Sequence, residues 1–226
     1  MHALLLANVD DADPGFVGEH LRARGYQFTP CWRERPGEWT DLEGVELVVS
    51  LGSDWSVYWD HVRQSVSAET DLLRRAHERG VPTLGICFGG QILAHTLGGR
   101  VERAPEPEVG WFDVTSDVPA LEGRGPWFQW HVDRFTAPPA AVRLASSPRG
   151  EQAFRLGRTL GLQFHPEVDV EIVGRWVEGG ATELSRLGLD GDTLVRRTGE
   201  ESERTHADAG TLVAWFCEEC VGADPG

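Results

Sequence analysis

A chain of 226 residues with 40% hydrophobic content can bury one sizeable core, which favours a single large domain and excludes global disorder. A formal net charge of -15 makes nucleic-acid backbones and anionic lipid surfaces poor partners. No apolar run approaches the roughly 18 residues of a membrane span, so a soluble, cytoplasmic protein without nucleic-acid or membrane partners is expected.

The first ten residues, MHALLLANVD, carry an apolar run without a basic flank, which reads as a buried strand over 3–8 rather than a signal peptide. Residues 15–24 read as a helix closed by Gly25. The β-branched run Val45 to Leu51 suits a central parallel strand. A helix follows over 66–79, with Leu72, Leu73 and Ala76 on one face and Gly80 as its stop. VPTLGI then reads as a strand and FGGQILAHTLG as a helix. The β-α order predicts a parallel sheet with helices on both faces, an α/β three-layer sandwich.

Between 101 and 164 short strand-like pieces alternate with Gly- and Pro-rich turns: GWFDV, WFQWH, VRLASS, EQAFRLG and TLGLQFH. They either extend the sheet or form an antiparallel ribbon beside it. Helices return from 168. The charged stretch 196–210 reads as solvated, and TLVAWF at 211–216 as a helix that docks on the body. Residues 1–180 are expected to form the main domain, with 181–226 a helical extension packed on it. Of the nine tryptophans, Trp55, Trp59, Trp111, Trp127 and Trp130 suit either an aromatic rim around a cleft or the core.

Four cysteines occur: Cys31, Cys87, Cys217 and Cys220. Without a secretion signal a disulfide framework is not expected. Cys217 and Cys220 form a C-x-x-C pair without further ligands at zinc spacing, which assigns them a structural or incidental role and leaves no metal. Cys87 differs. It stands in Gly85-Ile86-Cys87-Phe88-Gly89, the G-x-C-x-G spacing of a nucleophile elbow with sulfur in place of oxygen. A strand turning sharply into a helix leaves no room for side chains two residues either side, so glycine is needed at both. The turn lifts the thiol to a helix N-terminus, where the dipole favours the thiolate. The Phe88 amide can then donate to an oxyanion.

A thiol nucleophile needs a base. In LGLQFHPEV, Leu160, Leu162 and Phe164 alternate with Gly161, Gln163 and His165, and Pro166 ends the strand at the histidine. Glu167, two residues on, faces the same way and can hold the imidazole tautomer.

These two motifs in this order, GICFGGQ and His165-Pro166-Glu167, resemble those of the class I glutamine amidotransferases, and the likeness covers most of residues 1–178. The overall pattern is similar to a stand-alone version of the glutaminase part of guanosine monophosphate synthetase. The resemblance implies a flavodoxin-like, class I glutamine amidotransferase-like fold and a Cys87–His165–Glu167 triad. It implies an oxyanion hole from the amides of Gly52 and Phe88, although SLGSDWSVY lacks the family's proline and first glycine and is one residue longer. It assigns a substrate contact to Gln91 and, in QWHVD, backbone groups of Gln129 and Trp130 to the substrate's α-carboxylate or α-amine, with His131 and Asp133 as support. Gly90 stands where the family often has histidine. Attack on the γ-carboxamide of glutamine through a γ-glutamyl thioester is implied, with no cofactor. No P-loop or pyrophosphatase loop is present, so ammonia would pass to a separate synthase subunit. The alternatives are a stand-alone hydrolase of a γ-glutamylated small molecule and a non-catalytic, partner-binding relative.

Overall fold

Strand β1 (His2–Ala7) divides its side chains between two cores. Ala3, Leu5 and Ala7 join one cluster with Val17 and Leu21, while Leu4 and Leu6 join another with Leu72, Leu73, Ile92 and Leu93. A strand buried on both faces belongs to a sheet covered by helices on both sides. The computed structural model, which describes residues 1–222, has that three-layer α/β architecture.

The elements continue as α1 (Gly15–Ala23), β2 (Gln27–Trp32), β3 (Leu47–Ser50), α2 (Arg63–Glu78), β4 (Thr83–Ile86) and α3 (Phe88–Thr96). Then come β5 (Arg100–Phe112), β6 (Thr115–Ser116), β7 (Trp127–Thr136), β8 (Val142–Ser147), β9 (Gly150–Leu156) and β10 (Thr159–Leu162). The chain closes with α4 (Val170–Gly179), α5 (Ala181–Leu187), α6 (Gly191–Phe216) and a π-helical turn over Cys217–Val221.

The main sheet has the order β2-β1-β3-β4-β10-β9-β8-β6. From β2 to β10 all neighbours are parallel, the flavodoxin-like order, and β9, β8 and β6 add an antiparallel wing. The segment 101–164 therefore takes both of its expected forms, since β5 and β7 make a separate antiparallel ribbon.

Sequence patterning does not reveal β2 or the first half of β5, and proline explains both. Pro30 sits within β2, which is tolerated because β2 is the sheet's edge. β5 carries Pro105 and Pro107 where its register with β7 shifts, between Arg103 and Glu108.

The charged stretch 196–210 is more than a solvated face. It lies within α6, whose outer side carries ion pairs such as Arg196–Glu200, while Thr198, Thr205, Asp208 and Ala209 are buried. Leu212, Val213, Phe216 and Cys220 close the cluster over α1. Burial pushes the Cys220 thiol up to about 12, so it packs as a small hydrophobe. No helix among the described residues is long and apolar enough to cross a membrane.

Candidate active site

The C-terminal ends of β1, β3, β4 and β10 open into one cleft of about 680 Å³, whose wall includes Asn8, Gly52, Cys87 and His165. Crevices at the strand ends of an open parallel sheet are where such folds bind ligands.

Cys87 joins β4 to α3 with φ 52° and ψ −107°, and is the one non-glycine residue with positive φ among the described residues. Such backbone strain costs on the order of 1–3 kcal/mol and persists only where the surroundings hold it. Glycines do so here. A Cβ on Gly85 would lie 2.4 Å from the Gly89 carbonyl oxygen, and one on Gly89 would lie 2.0 Å from that of Ser50. Gly90, at the position often occupied by histidine in the family, has an equally physical reason. A Cβ there would come 2.2 Å from the Leu162 oxygen, so α3 packs directly on the backbone of β10.

His165 follows β10 and is pinned from outside the main sheet, its N–H donating to the Phe128 carbonyl of β7 at 2.8 Å. Glu167 is pinned by α1, with the Phe16 N–H donating to its carbonyl at 2.9 Å. Both residues are 2% exposed. His165 Nδ1 lies 2.7 Å from Glu167 Oε1, and because a carboxylate only accepts, Nδ1 carries the proton. Nε2 has no hydrogen-bond partner among the described residues and faces the cleft that Cys87 shares. Trp176 caps the imidazole edge-on at a centroid distance of 4.8 Å. Burial alone would lower the His165 pKa. The Glu167 carboxylate and then the Cys87 thiolate outweigh it and hold the imidazolium well above its ordinary 6.5.

Gly52 meets both groups. A Cβ built on it would lie 3.1 Å from His165 Cε1 and 3.8 Å from Cys87 Cβ, so the three residues converge on one point. Among the described residues no acceptor is found for the N–H of Gly52 or of Phe88. Two free amides beside a thiol can hold a developing oxyanion.

The flanking residues sort differently. Gln91 lines the cleft, and its amide donates to the Asp133 carbonyl at 3.1 Å. The Trp130 carbonyl oxygen stands 3.7 Å from Cys87 Sγ, while its indole N–H donates to Glu183 of α5. Gln129 is expected to offer its backbone to substrate, and its side chain is engaged elsewhere. Its side chain is fully buried, donates to Gln152 at 2.8 Å and is not part of the described cleft wall. His131 bridges Gln129 and the Asp133 carbonyl. Asp133 accepts from Ser56 and, at 2.7 Å, from Tyr58, which anchors the longer loop after β3 to the ribbon. The tryptophans divide: Trp55 and Trp130 line the cleft, Trp111 and Trp127 are core, and Trp59 is solvent-exposed.

Three contributions were not read from the sequence. Gln163, fully buried, points its amide at Cys87 Sγ from 3.9 Å. Its i, i+2 relation to His165 carried that signal. Trp176 of α4 carried none. Nor did α5, whose Thr182, Glu183 and Arg186 form part of the cleft wall although this segment matches the family motifs only loosely.

Comparison with known proteins bears on the family and the fold. A GMP synthase (glutamine-hydrolyzing) of Thermus thermophilus is 42% identical over 102 residues, covering 42% of this chain and 20% of that protein. The corresponding protein of Ralstonia pickettii is 35% identical over 147 residues, covering 58% of this chain and 26% of its own. The chain thus spans about a fifth to a quarter of these curated relatives. A glutamine amidotransferase from Thermotoga maritima superposes with a TM-score of 0.86 at 30% identity, covering 96% of this chain and 98% of that one. A glutamine amidotransferase from Methylobacillus flagellatus shares the fold at 22% identity and a TM-score of 0.83, covering 97% and 94%. The sequence model of glutamine amidotransferase class-I matches residues 60–175, from the helix before the elbow to the helix after the histidine, and the chain belongs to that family.

Proposed function

We propose that the chain hydrolyses the γ-amide of glutamine through a thioester on Cys87 and passes the ammonia to a synthase. The observation that carries this reading is the meeting of Cys87, the unpartnered His165 Nε2 and Gly52 at one point of the cleft. The Cys87 thiolate attacks the γ-carbonyl carbon, and the C=O electrons move onto oxygen. The amides of Gly52 and Phe88 hold that oxygen; one such donor is worth roughly 3–4 kcal/mol. The intermediate collapses, the C–N bond breaks and the His165 imidazolium gives its proton to the departing nitrogen. Water then attacks the thioester, losing its proton to the same imidazole, and glutamate leaves as the thiolate re-forms. Glu167 keeps the imidazole in the tautomer that presents Nε2 to the reaction.

A second reading, a stand-alone hydrolase of a γ-glutamylated small molecule, is favoured by the cleft itself. Its volume of about 680 Å³ far exceeds one amino acid and suits a drug-sized ligand. Asp10, Asp11, Glu34 and Asp54 line the part near β1 and β3, a setting for a leaving amine with further positive charge. Glutamate release from glutamine and from γ-glutamyl amides of bulky amines separates the readings. Weak glutamine turnover that rises with a synthase partner supports the first. Higher kcat/KM on a bulky amide supports the second. No turnover of any amide, with Cys87 still labelled by a glutamine-like electrophile, overturns both in favour of a partner-binding relative.

The raised His165 pKa makes a further prediction. Glu167→Gln removes the carboxylate that holds the imidazolium, so the alkaline limb of kcat/KM is expected to move to lower pH. The stability linkage has the same sign. A folded-state pKa above 6.5 contributes stability that is fully present below about pH 6.5 and lost as pH rises through the raised value. In the variant, melting temperature should therefore depend less on pH over that window. A limb and a melting profile that both match the wild type would remove Glu167 from this role.

A further inference from the structure

Arg33, at the end of β2, is fully buried and lies outside the reaction described above. Its guanidinium makes a two-pronged contact with Glu69 of α2, from Nε at 2.8 Å and from Nη2 at 3.2 Å. Glu69 is 1% exposed and also accepts from Ser50 Oγ at 2.7 Å. A buried ion pair of this kind is poor evidence for a stabilising role, because hydrophobic residues of similar volume commonly do as well. What the remaining donors reach is more telling. Nη2 donates to the Leu51 carbonyl at 2.8 Å, and Nη1 donates to the Gly52 carbonyl at 2.9 Å. The face of the same guanidinium lies over the Phe88 ring, 4.7 Å from its centroid. One rigid, planar cation thus grips two consecutive peptide carbonyls of the loop after β3 and the side chain of the first residue of α3.

Those are the two places from which the free amides come. A peptide plane is rigid, so holding the Leu51 carbonyl outward turns the Gly52 N–H, on the same plane, the opposite way. The Leu51 oxygen also accepts from the Gly89 N–H at 3.2 Å, which ties this peptide to the elbow. Among the described residues no donor other than this guanidinium reaches the Gly52 carbonyl, and a glycine peptide rotates at little steric cost.

We propose that Arg33, fixed by Glu69, is a positioning residue that keeps the Gly52 and Phe88 amides aimed at the oxyanion. The proposal rests on the amidotransferase reading, and its test separates the two. Arg33→Lys keeps the charge but lacks the fork; Arg33→Met with Glu69→Leu removes the buried pair without stranding a charge, which protects folding. Both are compared with the wild type for glutamate release and for alkylation of Cys87 by iodoacetamide across pH. Amide hydrogen exchange over residues 51–56 is measured alongside. Loss of preorganised donors predicts a fall in kcat of about 100-fold or more, with KM and the alkylation rate within about threefold of wild type. Exchange at 51–56 should rise while that of the central strands stays unchanged. Folded variants with wild-type kcat would overturn the proposal, as would alkylation falling in step with kcat, which would mean that the thiol itself had been disturbed. A wild type that releases no glutamate would instead sink the amidotransferase reading. Unchanged exchange at 51–56 would still refute the grip of Arg33 on the loop.

Discussion

Cys87→Ser is expected to lower glutamate release by about 10⁴-fold or more while leaving the fold intact. The structural cost is small because the Sγ contacts to the Trp130 carbonyl oxygen at 3.7 Å and from the Gln163 amide at 3.9 Å are long. The chemical cost is large. Sulfur is intrinsically the stronger nucleophile, and a serine hydroxyl in its place attacks the γ-carbonyl carbon poorly. The Cys87 contribution to the raised His165 pKa disappears as well, so the imidazolium becomes less favoured in the variant. Glutamate release and thermal melting measured together decide the matter. Turnover close to wild type would assign the nucleophile elsewhere, and a collapsed melting curve would show that the thiol carries structure.

Gly89→Ala is expected to destabilise the chain by about 3 kcal/mol and to remove most activity even in the protein that folds. The added Cβ would sit 2.0 Å from the Ser50 oxygen, 2.6 Å from its carbonyl carbon and 2.7 Å from its Oγ. Two of these three are backbone atoms, so no rotamer relieves the clash, and α3 must lift away from β3. That movement carries Cys87 and Phe88 away from Gly52, which separates the thiol and one amide from the other. Gly174 in α4 is the control, because a Cβ there meets nothing within 4 Å. Gly174→Ala should stabilise by up to about 1 kcal/mol through helix propensity alone. Urea midpoints of the two variants measure the contrast, and similar midpoints would contradict the close approach of α3 to β3.

The legible parts of the site are those written in local chain geometry. The elbow shows in GICFGG because a tight strand-to-helix turn needs glycines at fixed offsets, and the structure supplies the colliding atoms at each. His165 and Glu167 show because an extended chain puts i and i+2 on one side and proline ends the strand. Gly52 is assigned through the family resemblance rather than from local chain geometry. The direction of the Gln129 side chain is not legible, for the opposite reason. Whether a strand residue faces a cleft or an interior depends on what lies across it, here Gln152 of β9. Arg33 and Glu69 stand 36 residues apart, one on an edge strand that proline disguises and one on a helix face beside Leu72 and Leu73. Each in isolation reads as an ordinary surface charge.

The amino-acid sequence by itself determined the alternation of strands and helices, the thiol at a strained turn and the histidine with its carboxylate. All of these are decided by neighbours a few residues away, through backbone sterics and side-chain periodicity. Tertiary structure alone decided which strands pair, that the ribbon of β5 and β7 pins His165, and that α5 closes the cleft. It also brought a buried guanidinium under the two free amides. Those outcomes depend on packing between distant segments, where burial and the need to satisfy every buried polar group select one arrangement that no local pattern encodes.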